Sequence, residues 1–432
     1  MLTALGAPAE SVSDGRSGTV DGVRARVAAA AGRGSARLAR LAGRSGGMIG
    51  GRIASRLDPT LLQRMSIGRR IVLVSGTNGK STTAAMLART VQDLAPAWNS
   101  TGANMPDGAL SALLDAPHAA LSILETDESY VPRMIELTDP AIVVLLNLTR
   151  DQLDRIGEPA MVAARIGNAL KRYGSATVVG NCADPLVVGA LSNARRQVWV
   201  RPPMSWQLDA AVCPSCHEAI AHTPQGWRCH RCGACQPQAD WVLDTASGIV
   251  GPGGVRVPLD LRLPGRVNQV NAMFAVAAAD VLGVPPRKTV RLVSSIGEVS
   301  GRYRRLPRPG GSVRLLLAKN PAGWREVLEM IADAGSAVVI SVNSREPDGH
   351  DPSWLWDVPF EQLRGRTVVA TGERAADLSV RLRYAEVPHV VRDDPVAAAR
   401  SAPPGDVDLA ADYTSFIAAR SGLARAEHGG TR

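Results

Sequence analysis

Short runs of β-branched and apolar residues recur along the chain, and each breaks off into a polar cluster. Ile71-Val72-Leu73-Val74 ends in Ser75-Gly76-Thr77-Asn78-Gly79-Lys80-Ser81-Thr82. Leu121-Ser122-Ile123-Leu124 ends in Glu125-Thr126-Asp127-Glu128, and the run 141–146 ends in Asn147-Leu148-Thr149-Arg150-Asp151-Gln152-Leu153-Asp154. Residues 176–179 and 198–200 repeat the apolar pattern, and helical spacing fills stretches such as Thr83 to Val91. Continuous apolar strands alternating with helices predict a parallel-rich α/β sheet covered on both faces. Ligands of such sheets bind beyond the carboxyl ends of the strands, where these polar clusters fall. After Leu263-Pro-Gly-Arg-Val-Asn268-Gln-Val-Asn271, an alanine-rich run predicts a buried helix. From about residue 302 a second α/β unit begins, with strand patterns at 313–317, 337–342 and 367–371. The expected organisation is a flexible basic segment over 1–45, a central domain over 46–300 and a smaller α/β domain over 301–432. The last stretch reads as Asp412-Tyr413-Thr414 followed by a basic tail.

Charge changes this picture only at one end. The formal net charge is +9, and residues 1–70 carry twelve Arg against four acidic residues, so the rest of the chain is nearly neutral. A basic excess confined to one end argues against a broad nucleic-acid-binding surface. It permits weak attraction to an anionic membrane surface. Residues 1–20 are small and polar and read as disordered. Val23 to Leu41 has the spacing of an amphipathic helix; its alanine-rich stripe suits packing on the first domain better than a bilayer, because large apolar residues are few. No run approaches the ~20 apolar residues of a spanning helix, and no signal peptide is evident. A cytoplasmic protein is expected, acting at the inner face of the membrane if its substrate is lipid-linked.

The first strand feeds a helix through a glycine-containing turn, so backbone N–H groups and the helix N-terminus converge where a phosphate would sit. Lys80 would reach the terminal phosphates of a nucleotide and the Ser81 hydroxyl would hold Mg²⁺. Only four of the 49 basic residues are lysines, which makes Lys80 a deliberate choice of a compact ammonium. Glu125, at the end of the next strand, is the first choice for a second Mg²⁺ ligand. Five of the six cysteines lie within 23 residues. Cys213-Pro-Ser-Cys216 and Cys229-His-Arg-Cys232 form two C-x2-C knuckles that fit tetrahedral Zn²⁺ in a closed, structural four-thiolate site. Cys235, His217 and His230 are spare candidates. This ribbon, about 205–240, interrupts the central domain. Cys182, without an evident His partner, reads as filler.

The generic P-loop carries a glycine where this chain has Val74. Gly76-Thr77-Asn78-Gly79-Lys80-Ser81-Thr82 resembles instead the loop of the Mur ligases and folylpolyglutamate synthetases, which activate carboxylates with ATP. Asn147 to Asp154 resembles the family's Asn…Asp-His-Leu-Asp element, the Asn268…Asn271 segment its nucleotide-binding helix, and Gly301-Arg302 its hinge to the C-terminal domain. Gln152 replaces a metal-binding His, Arg165 stands near the position of a carbamylated Lys, and Arg304 replaces a Glu. The stretch ahead of Ile71 is also too short for the family's UDP-sugar-binding domain. Within the family the resemblance is to the MurT branch, through the four-cysteine insertion, Asp151-Gln-Leu-Asp154-Arg, Lys319-Asn-Pro-Ala-Gly323 and Asp348-Gly-His350-Asp351-Pro-Ser-Trp-Leu-Trp-Asp357. His350 departs from the Arg of that branch.

The resemblance implies a Mur-ligase-type central P-loop domain with an inserted zinc ribbon, followed by a Rossmann-like C-terminal domain. It implies an ATP-dependent amidoligase. The D-glutamate α-carboxylate of the lipid II stem peptide would become an amide through an acyl phosphate. Ammonia would come from a GatD-type class I glutamine amidotransferase paired with this chain as a heterodimer. On this reading Asn268, Asn271 and Arg302 hold the adenine and ribose side of ATP. Asp351 completes the partner's Cys-His pair, with Asp348 as runner-up. A stand-alone amino-acid ligase and a zinc-ribbon nucleic-acid-binding scaffold are the competing readings.

Overall fold

The computed structural model describes residues 22–43, 47–151, 158–203, 209, 211–244, 248–299, 302–332 and 337–429. Gln152, Asp154, Gly301 and the stretch 1–20 read as disordered lie outside these residues.

Among the described residues of the first part of the chain there are eleven strands: β1 (Arg70–Ser75), β2 (Ala97–Trp98), β3 (Leu121–Glu125), β4 (Ile142–Leu145), β5 (Thr177–Asn181), β6 (Arg196–Arg201), β7 (Ile220–Thr223), β8 (Gly226–Cys229), β9 (Trp241–Asp244), β10 (Gly248–Val250) and β11 (Arg256–Val257). Nine form one sheet in the order β11-β10-β9-β6-β5-β4-β1-β3-β2. The strands from β2 to β9 run parallel, and β9-β10-β11 is an antiparallel meander. Successive strands leave β1 in opposite directions, so its carboxyl end is a topological switch point, where such sheets bind ligands. Ile71, Leu73, Leu124, Val143 and Leu145 pack on one face under Leu110, Leu113 and Ile166. Val72, Val74, Ile123 and Val144 pack on the other under Leu87, Phe274 and Val276. Burial on both faces explains why these strands read as unbroken apolar runs.

The second sheet has the order β12-β13-β17-β14-β15-β16, with β12 (Tyr303–Arg308), β13 (Gly311–Leu317), β14 (Ala337–Ser341), β15 (Val368–Thr371), β16 (His389–Val391) and β17 (Val407–Ala411). All its pairs are parallel except β12-β13. Strand β17 lies at its centre and was not expected from the sequence. Its Asp408 is fully buried and stands opposite Arg314 of β13, with Nε–Oδ1 and Nη2–Oδ2 distances of 2.6 and 2.8 Å. That bidentate pair lets a carboxylate occupy a central strand. The expected basic tail is a helix, Tyr413–Gly429, which buries Phe416, Ala419 and Leu423.

Of the segment 1–45, the described part holds the helix Val23–Leu41, docked on the first domain as its spacing suggested. Ala25, Ala28, Ala29, Gly32, Ala36 and Ala39 are its buried positions. They allow close approach to the Ile49–Leu57 helix: a Cβ on Gly32 would lie 2.8 Å from the Gly50 carbonyl oxygen.

Candidate active site

Strand β1 stops at Ser75 and the helix Lys80–Thr90 starts three residues earlier than its apolar spacing indicated. Gly76 (φ 136°) and Gly79 (φ 87°) make the turn. Gly79 also meets a neighbour, since a Cβ there would sit 2.4 Å from Asn271 Oδ1. The Asn147 element clamps the loop. Asn147 O accepts from the Thr77 N–H at 3.0 Å, Asn147 Oδ1 accepts from the Asn78 N–H at 2.8 Å, and the Thr149 N–H donates to the Thr77 hydroxyl at 2.9 Å. The first N–H groups of the following helix have no intrahelical acceptor, the arrangement that suits an anion.

Lys80 is 4% exposed and its ammonium is turned back into the loop. It donates to the Gly76 and Thr77 carbonyls at 2.5 and 3.2 Å and to Glu128 at 2.8 Å. Burial alone would lower its pKa; Glu128 and Asp127 more than reverse that and hold the ammonium above the usual lysine range. The Ser81 hydroxyl donates to Glu125 Oε1 at 2.9 Å, and Asn99 fixes the Glu125 backbone through paired 2.8 Å bonds. Ser81 and Glu125 thus offer an adjacent hydroxyl and carboxylate, a donor set that fits Mg²⁺.

Arg302 points at the phosphate loop. Its Nη2 lies 3.4 Å from the Ser81 hydroxyl, at the phosphate end of the loop. Asn271 likewise packs on Gly79 and accepts from the Thr83 hydroxyl at 3.4 Å. Asn268 bonds the Pro264 carbonyl at 2.6 Å at the start of its helix. The three residues line one cavity with Gly79 and Thr82, and Asn271 also lines a second cavity with Val267, Val270, Pro202 and Pro203. Arg165 is exposed on the Pro159–Tyr173 helix, and Arg304 pairs loosely with Glu298 at 3.9 Å.

Two sets of contacts join the two units, and Lys319 stands beside them. Asn78 and Asn320 exchange amide hydrogen bonds at 3.2 and 3.3 Å, and Asn320 also accepts from the Gly323 N–H of the Pro321–Ala332 helix. Arg150 reaches Asp209 at 2.5 Å and Asp357 at 3.3 Å. Lys319 lies over the Tyr413 ring at 4.8 Å. Burial and Arg302 push its pKa down to about 8, with Asp151 partly opposing. Burial also raises the Asp151 carboxyl above the usual range. Lys319, Asp151, Arg150, Asp348 and Asp351 line one cavity at the carboxyl ends of the strands.

The two candidate acids of this cavity differ. Asp348 is 9% exposed and tied to the Thr414 N–H and hydroxyl at 2.8 and 2.5 Å. Asp351 is exposed, accepts from the Ser353 N–H and hydroxyl at 2.8 Å each, and is held below the usual carboxylate range by those bonds.

In the ribbon, β7 and β8 form a hairpin between the knuckles. The residue after each knuckle is left-handed, His217 at φ 59° and Gly233 at φ 76°, so each turn closes on its own cysteine pair. The four Sγ atoms of Cys213, Cys216, Cys229 and Cys232 lie within 4.8 Å of one another, two pairs at 3.5 Å. A tetrahedron with Zn–S of about 2.3 Å has edges of about 3.8 Å, so the thiolates fit zinc. Cys235 lies outside this set and is exposed. The ribbon rests on the central domain, with the Trp227 indole donating to the Cys182 carbonyl at 3.0 Å. Cys182 is buried and its thiol is pushed up to about 11 by that burial. Changing Cys229 to Ser is expected to abolish zinc binding in metal analysis and lower Tm by roughly 5 °C or more. A zinc-loaded variant of unchanged Tm would refute the four-thiolate site.

Residues 74–201 match the family model described as Mur ligase middle domain, and residues 317–416 match that described as MurT ligase C-terminal. The chain is 29% identical over 391 residues to the lipid II isoglutaminyl synthase (glutamine-hydrolyzing) subunit MurT of Staphylococcus aureus (strain COL), spanning 83% of this chain and 89% of that one. It is 27% identical over 372 residues to the protein of the same name from Streptococcus pneumoniae (strain ATCC BAA-255 / R6), spanning 79% and 83%. Its fold is similar to that of a pseudomurein peptide ligase type C from Methanothermus fervidus, with TM-score 0.67 and 16% identity, covering 84% of this chain and 80% of that one.

Proposed function

The chain belongs to the MurT branch of the Mur ligases, a superfamily of ATP-dependent ligases, and we propose that it amidates the D-glutamate α-carboxylate of the lipid II stem peptide to D-isoglutamine. A carboxylate needs a better leaving group before ammonia can displace it. Phosphoryl transfer from ATP to the carboxylate oxygen, which releases ADP, supplies one as an acyl phosphate. The loop and helix N-terminus at Gly76–Thr82 would bind the phosphates. Ser81 and Glu125 would hold Mg²⁺, which neutralises charge on the transferring group. Lys80 would exchange Glu128 for the terminal phosphates, and Arg302 is placed to assist it.

Ammonia then attacks the acyl carbon, phosphate departs, and a proton leaves the nitrogen. Asp151, with its raised pKa, is suited to accept that proton. Lys319 would attract the substrate carboxylate from the same cavity. The observation that carries the reading is this shared cavity. It is lined by exposed Asp351 and by Asn320, which bonds Asn78 of the phosphate loop, in a chain whose one cysteine outside the ribbon is buried with its thiol pushed up to about 11. Nucleophilic hydrolysis of glutamine needs an activated thiolate, so the nitrogen source is assigned to a partner, a GatD-type class I glutamine amidotransferase. Asp351 would orient that partner's catalytic His.

The test is co-purification of the chain with a class I glutaminase, followed by amidation of lipid II with glutamine and ATP. Amidation only by the pair is the expected result. Ligation of an amino acid by the chain alone, or tight DNA binding without ATP turnover, would overturn it. The charge on Lys319 adds a pH signature. Its ammonium is lost as pH rises through about 8, so KM for the lipid-linked substrate should rise above that pH. Lys319→Arg should flatten that rise, because an arginine stays charged; an unchanged profile would remove Lys319 from substrate binding.

A further inference from the structure

The Val23–Leu41 helix has a second apolar face that its packing does not use. Its alanine and glycine positions are spent on the Ile49–Leu57 and Pro106–Asp115 helices. At 3.6 residues per turn, Val23, Val27, Leu38 and Leu41 fall within about 60° of one another on the opposite side. They are 79%, 56%, 69% and 86% exposed. Arg26 and Arg37, both exposed, flank this stripe, and the helix contains no acidic residue. The patch continues onto Leu57, 42% exposed, whose carbonyl accepts from Arg24 Nε at 2.7 Å. The outward face of a docked surface helix is ordinarily polar. Here branched aliphatics occupy its middle and arginines its edge.

We infer that this face is a docking surface for an anionic lipid bilayer. The charge decides the occupant. Residues 1–70 concentrate the chain's positive excess, and arginines beside an aliphatic stripe can lay their stems on apolar surface while the guanidinium meets lipid phosphate. The fold separates the small residues, which face the protein, from the valines and leucines, which face out. Attachment of this kind is weak and reversible, and brings the chain to the surface that holds lipid-linked substrates. It is independent of the amidation chemistry.

The experiment is co-sedimentation of the full chain with phosphatidylcholine vesicles with and without phosphatidylglycerol, without turnover. Expected are binding at least tenfold stronger to the anionic vesicles, weakening with salt, and a tenfold or greater loss in Val27→Glu/Leu38→Glu with Tm and ATPase activity kept. Arg26→Gln/Arg37→Gln should also weaken binding and flatten its salt dependence. Wild-type binding by both double variants would overturn the inference, as would equal affinity for neutral vesicles. So would loss of binding on deleting residues 1–21 alone. A change of oligomeric mass in Val27→Glu/Leu38→Glu would also overturn it, by assigning the stripe to a second copy of the chain.

Discussion

Replacing Lys80 with alanine is expected to lower kcat for ATP-dependent amidation by about 10³ or more, because a fixed cation is removed from the developing charge on the transferring phosphoryl group. The substitution has a structural side effect that must be separated from the chemical one. Lys80 and Glu128 are both almost fully buried and paired at 2.8 Å. Removing one partner leaves a buried carboxylate uncompensated, at a cost of about 3–5 kcal/mol. Lys80→Ala should therefore also unfold more readily. The double variant Lys80→Ala/Glu128→Gln should recover most of the lost stability in thermal denaturation and none of the activity. Arginine is not expected to rescue, since the ammonium sits between the Gly76 and Thr77 carbonyls, where a planar guanidinium does not fit. A stable Lys80→Ala chain with undiminished turnover would take the loop out of the mechanism.

Asp351→Asn is expected to separate the two nitrogen sources. Glutamine-driven amidation should fall by roughly 10³–10⁴, the scale on which an acid that orients a catalytic His acts. Amidation driven by added ammonium should change little, because Asp351 stands at the exposed rim, away from the phosphate loop. Asparagine retains an acceptor for the Ser353 N–H, so the turn should survive and Tm should stay near wild type. Asp348→Asn is the contrasting variant. Its carboxylate anchors Thr414 at the head of the last helix, so it should lower Tm and slow amidation from both sources together. Equal losses from both sources in Asp351→Asn would remove it from the partner's triad.

Local chemistry was readable from the chain alone. The phosphate loop and the cysteine knuckles are contiguous, and each works through the geometry of its own turn, so spacing is enough to recognise them. The parallel strands of the central sheet were readable for a related reason: burial on both faces leaves an unbroken apolar run. Strand β17 was hidden because Asp408 interrupts such a run, and its neutralising partner, Arg314, lies far away in sequence. The same remoteness hid the meeting of Lys319 with Asp151 in one cavity and of the Arg302 guanidinium with Ser81, since each pair lies on different units.

The sequence by itself determined the apolar strands at the centre of the first sheet, the glycine turn after β1 and the four clustered thiolates, because these depend on neighbours in the chain. Only the tertiary structure decided which cations and carboxylates share a cavity, which of Asp348 and Asp351 is free to meet another molecule, and which face of the first helix looks outward. Each of those depends on desolvation and charge compensation between segments that the chain order keeps apart.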